Sequence, residues 1–128
     1  MTLRTCLLLS DDPDDHVEFS EALQEACADY VLMAVCDPAK AIELLALRRL
    51  IPDVVIADFA LGGFDASLFF ETMRKNVELS HLPVIAYGNS TDPSMRSHPQ
   101  IRVFLDDNIS YSALRTVLAE TLNGASGS

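Results

Sequence analysis

Lysine and arginine are scarce in this sequence, nine against nineteen Asp and Glu, and neither occurs between Thr5 and Ala39. The net charge of -10 excludes non-specific nucleic-acid binding, which rests on neutralising phosphates. Long apolar runs are missing too. The first, Cys6 to Leu9, is four residues, against roughly 7–15 for a secretory h-region. Nothing approaches the ~20 apolar residues of a membrane span, so a cytoplasmic setting is expected. Cysteine is limited to Cys6, Cys27 and Cys36, an odd set without C-x-x-C spacing. That excludes a disulfide framework and a zinc site, and suggests buried free thiols. His16, His81 and His98 are too scattered to form a ligand cluster. No repeat or linker divides the chain, so a single domain is expected over residues 1–122, with 123–128 as a flexible tail.

What is present is a strong local acidity. Asp11, Asp12, Asp14, Asp15, Glu18, Glu21, Glu25, Asp29 and Asp37 all fall in the stretch without bases, which carries almost the whole net charge. Phe19, Leu23, Ala26 and Tyr30 recur at helical spacing after Pro13, and Asp14, Glu18, Glu21 and Glu25 recur likewise on another face. Around this helix the chain alternates. Strands are expected at Cys6–Leu9, Val31–Cys36, Val54–Ala57, Leu82–Tyr87 and Ile101–Leu105, the third being rich in β-branched residues. Further helices are expected after Asp37-Pro38, over Asp65–Asn76 and over Ser110–Leu122, the last closed by Asn123-Gly124. Gly88 to Gln100 holds Pro93, Pro99, four hydroxyl residues and one large apolar side chain, Met95. At best one or two helical turns fit there. Five strands alternating with helices imply a doubly wound α/β domain with a parallel sheet. Ligands in such folds sit at the carboxyl ends of strands, where the sequence places Asp11, Asp12, Asp58, Asp106 and Asp107.

Ser10-Asp11-Asp12-Pro13-Asp14-Asp15 resembles the acidic pocket of two-component response-regulator receiver domains. Pro52 to Asp65, with Asp58 after Val54-Val-Ile-Ala57, resembles that family's phosphoacceptor strand and loop, where the usual pattern is D-x-x-L-P-x-x-D or -G. Leu82-Pro-Val-Ile-Ala86 resembles its fourth strand. The likeness runs from Cys6 to about Leu122. It implies a flavodoxin-like sheet in the order 2-1-3-4-5. It also implies Asp58 as acceptor of a phosphoryl group from a histidine kinase or phosphotransfer protein. A Mg²⁺ is implied on Asp11, Asp58 and the backbone carbonyl of Ala60, which suits an ion that prefers oxygen and keeps several waters.

The sequence departs from the family at four places. Ser10 stands where the first of two acids is usual, with Asp11 as the second; a one-residue shift would instead pair Asp11 with Asp12, and both registers stay open. Gly88 replaces the Thr or Ser whose hydroxyl bonds the phosphoryl group, with Ser90 two residues on. Asp107 and Asn108 replace the Lys-Pro pair after the fifth strand. An Asp for that Lys exchanges attraction for repulsion, about 4 kcal/mol for like charges ~4 Å apart at an effective dielectric of ~20. Arg96 or Arg102 could stand in as the cation, against the plainer reading of exposed or strand-start arginines.

Two functions follow. The first is an atypical receiver that accepts phosphate on Asp58. The alternative is a phosphorylation-independent pseudo-receiver that docks a signalling protein, and a homodimer is open in either case. Neither is an enzyme beyond self-phosphorylation and dephosphorylation on Asp58. Aspartate-nucleophile phosphatases need a second Asp that Asp58-Phe-Ala60 lacks, and a flavin needs a phosphate loop where this chain has aspartates. Glu18, Glu21 and Glu25 lie outside the expected pocket. The resemblance makes their helix a kinase-docking surface, and a solvated acidic face is the alternative.

Overall fold

A computed structural model of the chain describes residues 3–88, 98–106 and 108–126. Its elements run β1 Arg4–Leu9, α1 Pro13–Ala26, β2 Tyr30–Val35, α2 Pro38–Ala46, β3 Val54–Asp58, α3 Ala66–Arg74, β4 Val84–Tyr87, β5 Ile101–Phe104 and α4 Tyr111–Ser126. The strands form one parallel sheet in the order β2-β1-β3-β4-β5. This is the doubly wound, flavodoxin-like architecture expected from the alternation. The reading of a short or irregular helix between the fourth and fifth strands falls on residues 89–97, outside the described residues.

Three helices start on an aspartate. Asp12 accepts the N–H of Asp14 at 2.9 Å, Asp37 that of Ala39 at 3.0 Å, and Asp65 that of Leu68 at 3.0 Å. Each carboxylate satisfies an N–H that the first turn leaves without a partner and lies at the positive end of the helix dipole. Prolines at the first position of α1 and α2 preset the backbone. At the other end of the chain α4 runs past Asn123-Gly124 to Ser126. Gly and Asn ease a left-handed stop but do not forbid right-handed turns.

Strand alternation builds two cores. Leu7, Leu9, Val55 and Ala57 face α2 and α3, packing on Leu45, Phe69 and Met73. Cys6, Leu8, Val54 and Ile56 face the other way, onto Phe19 and Leu23 of α1 and Leu114 and Leu118 of α4. Burial on both faces explains why β1 and β3 read as continuous apolar runs rather than alternating ones. Of the three cysteines, Cys6 and Cys27 are buried, and burial pushes the Cys6 thiol up to about 12, so it stays protonated. Cys36 is exposed, because β2 ends one residue earlier than expected and leaves it in the following bend. Among the described residues no helix is long and apolar enough to cross a membrane.

Candidate functional site

β1 and β3 are neighbours, yet α1 leaves β1 toward one face while α3 leaves β3 toward the other. A crevice opens between the strand ends where such connections diverge. There the structure forms a cleft of about 400 Å³, with carboxylates from Asp15, Glu18, Asp58 and Asp106 and an apolar side that includes Phe19 and Leu105. Neither lysine nor arginine lines it among the described residues.

Asp58 is the last residue of β3, half-buried, and its Oδ1 accepts the Ala60 N–H at 2.9 Å. In the adjacent strand its partner is Tyr87, so Gly88 follows directly beside the carboxylate. Gly88 is buried, with φ +86°. A Cβ at that position would overlap Asp58 Oδ1 and lie 2.9 Å from Ala60 N and 3.2 Å from Ala60 Cβ. Glycine is required here twice over, by a backbone angle that other residues rarely adopt and by the close approach to Asp58.

β1 ends at Leu9, so Ser10 takes the first loop position. Ser10 is the one buried polar residue among the described residues. Its Oγ accepts the Asp12 N–H at 3.1 Å and donates to Asp15 Oδ2 at 3.0 Å. Its carbonyl lies 2.8 Å from His16 Nε2, which fixes the ring proton on that nitrogen. The Tyr87 hydroxyl donates to the same Asp15 oxygen at 2.9 Å. Burial raises the Tyr87 phenol pKa, and the negative charges of Asp15 and Asp58 push it the same way, so Tyr87 remains a donor throughout the working pH range.

Of the residues singled out in the sequence, Asp58, Ala60, Gly88 and Asp106 come together in the cleft. Asp11 is exposed in the bend after β1 and is not among the lining residues. Asp12 serves as the N-cap of α1. Arg102 is exposed on β5. Asp107, Ser90 and Arg96 lie outside the described residues. Glu18, read from the sequence as part of an outer acidic face, instead borders the cleft. One turn of α1 beyond Pro13 already points toward the strand ends. Glu25 of the same stripe pairs with Arg115 of α4 at 2.9 Å, and that bond, with a further one from Tyr111, holds its carboxyl below the usual range. Sequence reasoning missed Asp15 and Tyr87 as cleft residues. The available signal was the phenol at the end of the otherwise aliphatic Val84-Ile-Ala86, since a buried tyrosine hydroxyl needs a partner.

The donors implied for Mg²⁺ are carboxylate and carbonyl oxygens, which suit a hard ion. Among the described residues, however, no three His, Cys, Asp or Glu side chains gather as a metal-binding group. Ser10 has taken one acid away, and Asp12 is engaged as a cap. Of the implied donors, Asp58 and Ala60 line the cleft and Asp11 stands outside its lining.

No protein-family model matches the chain. Solved structures do. A putative response regulator from Chloroflexus aurantiacus J-10-fl is 17% identical, with a TM-score of 0.75 over 99% of this chain and 100% of that one. The receiver domain of the sensor histidine kinase PA1611 from Pseudomonas aeruginosa PAO1, solved with a magnesium ion coordinated in its active site cleft, is 18% identical with a TM-score of 0.72, covering 99% and 100%. The chemotaxis response regulator CheY4 of Vibrio cholerae is 19% identical with a TM-score of 0.72, covering 97% and 99%. The chain thus has the fold of response-regulator receiver domains, matched over 97–99% of its length.

Proposed function

We propose that this chain is a receiver domain of two-component signalling that works as a phosphorylation-independent docking module. Its partner is a histidine kinase, a phosphotransfer protein or a downstream signalling protein. The observation that carries this reading is the contact between Gly88 and Asp58. The position that supplies a hydroxyl in the resembled family holds a glycine whose backbone lies against the carboxylate. A phosphoryl group on Asp58 would add negative charge to a cleft already bordered by Asp15, Glu18 and Asp106. By sequence, the place of the neutralising lysine is taken by Asp107. Fold alone does not carry the chemistry, which depends on the site.

The test is mass spectrometry after incubation with a small phosphodonor and Mg²⁺. No mass increase is expected under conditions that label a standard receiver. A gain of one phosphoryl group, absent in Asp58→Ala, would overturn the docking reading. It would favour the second one, in which Asp58 accepts phosphate with Mg²⁺ on Asp11, Asp58 and the Ala60 carbonyl. That reading is supported by the retained place of Asp58 at the end of β3.

A further inference from the structure

We propose that Tyr87 is a positioning residue that keeps the end of β4 seated against Asp58, so that the cleft is held in one state by a hydroxyl tether instead of by the charge at residue 58. Tyr87 is fixed from two sides. Its hydroxyl is anchored on Asp15 Oδ2 at 2.9 Å, and Asp15 is itself anchored by the buried Ser10 at 3.0 Å. Its carbonyl accepts the Phe59 N–H at 2.7 Å, which ties the same residue to the chain just beyond Asp58. The ring packs on Phe19 of α1 with centroids 5.1 Å apart. Gly88 is the next residue, and its backbone meets Asp58 Oδ1.

The chemistry of the tether is stronger than a neutral contact. Two hydroxyls donate to one carboxylate oxygen, and hydrogen bonds to a charged acceptor exceed neutral ones. Ser10 adds specificity, because an acid at its position would repel Asp15, whereas a hydroxyl donates to it. Without the tether the end of β4 keeps its backbone bond to Phe59 and its ring contact with Phe19 but loses its hydrogen bond to Asp15 of α1. Gly88, with its permissive backbone, then becomes a hinge. This inference deepens the docking reading and rests on it in one respect: the seated state is the working state.

Carbodiimide-driven amine coupling to carboxylates, mapped by peptide mass spectrometry on the full chain, reads the accessibility of Asp58. The exposed Asp53 and Asp65 serve as internal references. Tyr87→Phe removes only the hydroxyl and should raise the Asp58 labelling rate roughly tenfold or more relative to the references. Asp15→Asn should raise it less, since the amide oxygen still accepts, and it is read in place of Tyr87→Phe should that variant fail to fold. Ile42→Val, in the core on the opposite face of the sheet, leaves the tether in place and should leave Asp58 protected. Unchanged Asp58 labelling in Tyr87→Phe overturns the proposal. So does an equal rise at Asp53 and Asp65, which would mark a general loosening. Phosphoryl uptake by the unaltered chain, in contrast, would overturn the docking reading and leave the labelling result standing.

Discussion

Replacing Gly88 by threonine would restore the hydroxyl that the resembled family carries there, and the structure says that the fold will resist. The residue has φ +86°, a region that costs an L-residue about 1–2 kcal/mol and suits a β-branched one least. The new Cβ would overlap Asp58 Oδ1 and press on the Ala60 backbone at 2.9 Å, adding roughly 1–3 kcal/mol of the strain that overpacking brings. Together these remove about 2–5 kcal/mol from a domain whose total stability is on the order of 5–15 kcal/mol. For a chain of this length each kcal/mol moves the melting temperature by roughly 3–5 °C. Thermal denaturation followed by circular dichroism should therefore show Gly88→Thr melting about 6–25 °C below the unaltered protein. Gly88→Ala should lose nearly as much, because the Cβ rather than the hydroxyl is at fault. A threonine variant that melts with the parent would refute the reasoning. The backbone at residue 88 would then be free to turn away from Asp58.

Other consequences are as direct. Asp58→Asn keeps an oxygen for the Ala60 N–H and removes one negative charge from the cleft, so it should raise the melting temperature by about 1–3 °C at low ionic strength, with the gain shrinking as salt is added. Leu118→Ala empties a fully buried position of α4 and should cost about 2–5 kcal/mol in a urea titration. His98 stacks on Phe70 with ring centroids 3.8 Å apart, and burial holds its pKa below the ordinary histidine value. Because the unfolded chain then binds the proton more readily, this group contributes stability that is present above about pH 6.5 and declines as the pH falls below it. His98→Gln should flatten the pH dependence of melting between about pH 7.5 and 5.5.

The architecture was legible because its signals are local and repeated. Asp12-Pro13 and Asp37-Pro38 announce helix starts, and Val54-Val-Ile-Ala57 can only be a strand covered on both faces. Boundaries moved by a residue or two, as at β2, where pairing with β1 begins at Tyr30 and ends at Val35. The site was legible in part. Asp58 could be placed because it ends a strand of obvious pattern. Asp15 could not, because at the start of a helix an aspartate is explained by the dipole alone, and only the fold brings it within reach of a tyrosine 72 residues away. Gly88 read as a missing hydroxyl. That its backbone lies close against Asp58 depends on a backbone angle, which sequence does not print.

The two cores described above share their walls. Val54 and Ile56 belong to one and Val55 and Ala57 to the other, so neither helical layer can be altered without disturbing the strands that support its counterpart. The strand ends are under no such obligation: Ser10 and Gly88 stand just past β1 and β4, outside the walls that the two cores share. Side chains at the strand ends can therefore change while the layered sheet keeps its shape.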